Sequence, residues 1–162
     1  MPSAGTEGFL FLSFYEIPYL CDMRSALQIL SNYSLRNTSS RKDILDVFIK
    51  EGKALSQKNI EDTMTGECDR VTIYRTLSTF MDRGILHKVL DDSGAMKYAL
   101  CEDSCGEHEV HHHDHVHFKC NSCNKTTCVN DVHFPYPKLP EGYHTDEINI
   151  LIQGTCPNCA AA

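Results

Sequence analysis

Positive charge is scarce in this chain. Against 22 Asp and Glu stand 15 Lys and Arg, a formal net charge of -7, and residues 1–22 hold neither Lys nor Arg. Taken whole, that balance argues against a nucleic-acid partner; divided along the chain, it does not. Residues 23–98 carry 12 basic and 10 acidic side chains, whereas residues 99–162 carry 3 and 9. The acid is therefore gathered in the Cys/His-rich half, where bound cations would offset part of it. The lack of early basic residues also makes the apolar opening, "GFLFLSFYEIPYLCD", a poor signal peptide. It is interrupted by Glu16 and Pro18 and is too short to span a bilayer. Residues 1–22 are expected to be a non-native or disordered extension ahead of Met23. There is no internal repeat and no long low-complexity tract. The H-x-E and P-C-x-x-C signature of nucleobase deaminases is missing, because Pro157 lies inside the pair Cys156/Cys159.

At 162 residues the chain can bury one ordinary core with a small satellite. Its hydrophobic period starts at that of a helix. "RSALQILSNY" puts Ala26, Leu27 and Leu30 on one stripe. "SSRKDILDVFIKEG" has a serine cap, apolar Ile44, Leu45, Phe48 and Ile49, and a stop at Gly52. "LSQKNIEDTM" reads as a short helix capped by Ser56. "DRVTIYRTLSTFMDRG" carries Ile73, Leu77, Phe80 and Met81 on a core-facing stripe, leaving Arg70, Thr72, Tyr74, Arg75 and Thr76 on the other face. After Gly84 the period changes to two: "ILHKVL", a turn at "DDSG" and "AMKYAL" form a hairpin. Helices followed by a two-stranded wing predict an α+β chain whose N-terminal part is a winged helix-turn-helix domain. Its polar helix face is suited to a major groove.

Residues 101–114 have no usable period and read as a hinge between a domain at 23–100 and one at 115–162. Beyond it "HVHFKC", "TTCVNDV" and "EINILIQG" alternate and predict a small sheet. The intervening "HFPYPKLPEGYH" holds three prolines and cannot be a helix interior.

The segment "HHHDHVHFKCNSC" gathers five histidines, an aspartate and two cysteines, which is more than a purification tag would need. Of nine cysteines, four fall in the pairs Cys120/Cys123 and Cys156/Cys159, with 32 residues between the pairs. Each Cys-x-x-Cys turn aims two thiolates at one ion, and two turns complete a closed tetrahedral zinc site of the structural kind. This spacing points to a reducing, cytoplasmic compartment rather than a disulfide scaffold. His115 and His117, one residue apart on a strand, project from the same face and can share a second ion. Cys128 on the next strand is within reach, and its thiolate favours zinc over a hard cation. For a fourth ligand Glu109 is placed first, with Cys101, Cys105, His113, Asp114 and His133 as further candidates. "HEVHH" matches the H-E-x-x-H of zinc proteases, but that chemistry needs a helix, and here the match follows Gly106 and runs into a strand.

Taken together, "VTIYRTLSTFMDRGIL", "HHHDHVHFKCNSC" and "GTCPNC" resemble the ferric uptake regulator (Fur) family of bacterial metal-responsive repressors, from about Met23 to Cys159. The resemblance implies a non-enzymatic regulator with a winged-helix DNA-binding domain and a C-terminal α/β dimerisation domain. It further implies a structural zinc on four cysteines and a regulatory Zn2+ or Fe2+ near the hinge. Residue by residue, Tyr74 matches the family's thymine-contacting tyrosine and Arg75 the arginine after it. Arg36 sits where a basic residue enters the minor groove. His115 and His117 match the paired regulatory histidines, and Cys128 occupies the place of an acidic ligand. The histidine that many members carry in the DNA-binding domain should lie near Ala54 and is missing, as is one expected near Ile148, so two ions per subunit are expected.

The implied partners are a second copy of the chain and double-stranded A/T-rich palindromic DNA, with no membrane and no small organic substrate. Three other readings stand beside this one: a peroxide-sensing regulator of the same family, a metal-buffering protein using the histidine run, and a zinc hydrolase using "HEVHH".

Overall fold

The computed structural model describes residues 25–64, 68–101, 116–129, 132, 135, 137–145 and 148–161. Its N-terminal part is helical. α1 (Ala26–Asn32) starts at Ser25, whose hydroxyl accepts from the amide of Gln28 at 3.2 Å. α2 (Ser39–Glu51) is capped by Thr38 rather than by the expected serine, and ends at Gly52 in the left-handed region (φ 54°). There a side chain would be strained. α3 (Gln57–Thr63) has a full capping box between Ser56 and Asn59. α4 (Arg70–Asp82) is capped by Asp69, which accepts from the amides of Val71 and Thr72.

The stripes meet in one core, except that Leu27, expected on the first, is exposed and Ile29 faces inward with Ala26 and Leu30. Ile29, Leu30, Ile44, Leu45, Phe48, Ile60, Ile73, Leu77 and Phe80 are all buried and packed together. The hairpin β2 (Leu86–Val89) and β3 (Lys97–Leu100) closes this core, with β1 (Leu55–Ser56) added on the far side of β3. Alternation divides the hairpin's two faces. Leu86 pairs with Leu100, and both pack on the helical core. His87 pairs with Ala99 and Val89 with Lys97, which places all four on the opposite face.

That opposite face is covered by the second sheet, ordered β5-β4-β6, in which β4 (Val116–Cys120) runs antiparallel to β5 (Thr126–Val129) and parallel to β6 (Leu151–Gly154). His117 pairs with Cys128 and Lys119 with Thr126, so these four share one face. Cys128 packs on the buried cluster of Ala54, Val89 and Ala99, and the amide of Ala54 donates to the carbonyl of Thr126 at 2.8 Å. The chain closes with the short α5 (Pro157–Ala160). The α+β architecture, a winged helix followed by a small C-terminal domain, is therefore as expected. The N-terminal extension and residues 102–115, which hold most of the hinge and "HEVHH", lie outside the described residues.

Candidate metal centres and nucleic-acid interface

Two clusters of ligating side chains stand out among the described residues. The first is Cys120, Cys123, Cys156 and Cys159, whose four sulfurs lie within 4.8 Å of one another. Local backbone builds each half. Cys120 ends β4 in a turn closed by the amide of Asn124 donating to the carbonyl of Cys120, with Asn124 at φ 57°. Cys156 caps α5, where Pro157 supplies a preset φ, and the amide of Cys159 returns to the carbonyl of Cys156. Register joins the halves, because Cys120 pairs with Gly154 across the parallel strands.

The donor set fits zinc. Cys123 Sγ and Cys156 Sγ are 3.9 Å apart, and a tetrahedron with Zn–S bonds of ~2.3 Å requires about 3.8 Å between sulfurs. Backbone amides of Cys123 and Cys156 lower the Cys120 thiol to about 6, so one thiolate is already stabilised. Hydrogen bonding with Cys156 and Cys123, reinforced by burial, pushes the Cys159 thiol up to about 12. Four sulfurs this close cannot all ionise unaided, and a dication would supply the missing charge.

The second cluster is His87, His117 and Cys128. It lies on the seam between wing and C-terminal sheet. His87 Nε2 is 3.2 Å from His117 Nε2 and 3.4 Å from Cys128 Sγ, and the two buried rings stack at 5.4 Å. On the other side of the His87 ring, Nδ1 is 3.3 Å from the buried Cys101 Sγ. A hydrogen bond there fixes the tautomer that leaves Nε2 to face His117 and Cys128. Two imidazoles and a thiolate could hold a borderline-soft divalent ion.

Of the residues the sequence nominated for this site, His117 and Cys128 are brought together. Cys101 is placed at the rear of His87, and His115, Glu109, Cys105, His113, Asp114 and His133 lie outside the described residues. His87 was missed by the sequence reading. Its signal was its position: it occupies the same strand face as Val89 and Ala99, and an apolar face on both sides of a two-stranded wing means that something covers the second side.

The surface the sequence nominated for a nucleic acid lies on α4. Tyr74 is 61% exposed and Val71 57%; Arg75 is also exposed. Arg70 is exposed too and lies 3.3 Å from Glu61. The hydroxyl of Thr72 donates to Asp69 at 2.6 Å, and that bond, with those from the amides, keeps the Asp69 carboxyl below its ordinary value. Thr76, expected on the outer face, is instead buried, because it falls one turn before Phe80 on the core side of the stripe. Arg36 is exposed in the loop before α2, where its carbonyl accepts from the Arg41 guanidinium at 3.1 Å.

Comparison with known proteins gives the family and the fold. The Ferric uptake regulator family matches the chain over residues 32–136. The Ferric uptake regulation protein of Staphylococcus epidermidis is 33% identical over 140 residues, which cover 83% of this chain and 93% of that protein. Two solved structures share the fold. A zinc uptake regulator complexed with zinc and DNA aligns with a TM-score of 0.58 at 20% identity, over 84% of this chain and 91% of the other. The Vibrio cholerae ferric uptake regulator aligns with a TM-score of 0.51 at 20% identity, over 80% and 98%.

Proposed function

The chain belongs to the ferric uptake regulator family, whose members are transcriptional regulators rather than enzymes, and from that premise we propose that it is a zinc-responsive DNA-binding repressor. The observation that carries this reading is the placement of His87 on the wing beside His117 and Cys128 on the C-terminal sheet. The thiolate of Cys128 favours zinc. A divalent ion, when bound there, supplies a positive centre shared by ligands from both sides of the seam. His87 moves with the DNA-binding domain and His117 with the sheet, so holding them together fixes the angle between the two. Glu109 and His115 are the candidates for completing the ligand set.

The C-terminal domain pairs two chains into a homodimer, and a fixed angle sets the separation of the two α4 helices to successive half-sites of an A/T-rich palindrome. In each half-site Tyr74 packs on a thymine methyl, Arg70 and Arg75 meet phosphates or base edges, and Arg36 enters the narrow minor groove. Thr72 contributes by holding the N-terminal turn of α4 through Asp69. Cys120, Cys123, Cys156 and Cys159 hold a structural zinc that ties β4 to the final turn. The protein acts in the cytoplasm.

The test is a fluorescence-anisotropy titration on A/T-rich palindromic DNA at fixed salt. The regulatory site is left empty, or loaded with Zn(II), or loaded anaerobically with Fe(II). Tightening with zinc alone is expected. Tightening with iron alone would replace the signal, and no binding under any loading would remove the repressor reading.

A further inference from the structure

The seam between wing and sheet has a second end, at which no candidate metal cluster lies among the described residues. The wing turn begins with Asp91, whose side chain is fully buried, and Asp92, which is half exposed. Asp91 accepts from Lys97 and from the amide and hydroxyl of Ser93, all within the wing, and from the hydroxyl of Thr126 at 2.8 Å, which belongs to the sheet. Asp92 is paired with Lys119 of β4. Thr126 and Lys119 are register partners. They lie one side-chain pair along the strands from His117 and Cys128, on the same face. The carbonyl of Thr126 also takes the amide of Ala54.

We propose that Asp91 and Asp92 are positioning residues for the metal response: they clamp the C-terminal sheet onto the wing and so preassemble the ligands His87, His117 and Cys128. The proposal rests on the metal-responsive reading given above. Its physical basis is that β4 and β5 each carry one clamp residue and one ligand two positions apart, so anchoring one end restricts the tilt of the other. Burial would raise the Asp91 carboxyl, yet the hydrogen bonds from Lys97, Ser93 and Thr126 outweigh it and hold the group well below the ordinary carboxylate range. The side chain therefore stays an anion, and a charged acceptor makes the stronger hydrogen bond to Thr126. The Asp92–Lys119 pair reaches solvent and contributes less. An ion that binds only the closed arrangement has an apparent affinity reduced by the fraction of chains already closed. The clamp sets that fraction.

The experiment uses the full chain with zinc retained at the four cysteines, and Co(II) as the probe of the seam site. Variants are Thr126→Val, which keeps the side-chain volume and leaves Asp91 with Lys97 and Ser93, Lys119→Asp, and the charge swap Asp92→Lys with Lys119→Asp. Two readouts are taken: Co(II) affinity with its absorption spectrum, and hydrogen exchange of the Ala54 amide without regulatory metal. Thr126→Val is expected to weaken Co(II) about tenfold, the scale of a lost hydrogen bond to a charged group, with the same spectrum and faster Ala54 exchange. Lys119→Asp is expected to do the same to a smaller extent, and the swap to recover most of its loss. Unchanged affinity and unchanged exchange in Thr126→Val would overturn the clamp. If the wild type itself takes up no Co(II), the metal-responsive reading fails and the exchange data alone decide whether Asp91 and Asp92 hold the sheet.

Discussion

At the scale of single residues, the outer face of the wing decides the chemistry. His87 is surrounded by groups that need it in one orientation: Cys101 behind it, His117 stacked on it, and Cys128 beside its Nε2. A surface histidine would have none of these, which is why burial combined with a thiol neighbour marks it as a ligand candidate. Asp69 is equally specific in its task. Three hydrogen bonds from Val71 and Thr72 end on its carboxylate, so Asp69→Ala is expected to lower stability, as loss of an N-cap does. Because it frees the first turn of α4, it should also weaken DNA binding with or without metal. Chemical denaturation and anisotropy would check the two effects separately, and equal stability with tighter DNA binding would contradict them.

The helices and the hairpins differ in how much of them could be read ahead of the structure. α2 and α4 announced themselves through an apolar stripe and a glycine just past the end, and α3 through its Ser56 cap, all local signals that tertiary context did not override. β1, two residues long, and α5, four residues long, were not foreseen, since neither is long enough to show a period. Thr76 was misplaced because the helical stripe is wider than the four residues used to define it. The four-cysteine set was legible from spacing alone. The seam site was legible by half, since a strand's second face reveals its cover only once the covering sheet is known. Gly154 gives an element-level prediction. A Cβ there would meet the Phe118 ring at 3.2 and 3.3 Å, and Gly154 pairs with Cys120. Gly154→Val is therefore expected to displace the ring, disturb the β4–β6 register and speed zinc release to a chromogenic chelator; an unchanged release rate would show that the ring yields freely.

For the molecule as a whole, the proposed function gives the two clusters separable tasks. Cys120 ends β4, Cys123 lies in the turn after it, and 32 residues separate this pair from Cys156 and Cys159, so an ion held by all four closes a long loop around the C-terminal sheet. Cys120→Ser, or stripping the metal with a strong chelator, is expected to unfold that sheet and abolish dimerisation while the helical core around Phe48 and Phe80 persists. Circular dichroism and sedimentation would record it. Loss of both parts together would mean the wing cannot stand without its cover.

The seam cluster should behave in the opposite way, and a single variant tests this. His87→Ala leaves all four cysteines in place, and the quantity to measure is its zinc-dependent gain in affinity for operator DNA, alongside its zinc content. One zinc is expected to be retained per chain and the zinc-dependent gain to be lost, with residual binding equal to that of the wild type without regulatory metal. A His87→Ala protein that tightened on DNA with zinc as the wild type does would contradict the central claim that this histidine couples the metal to the wing.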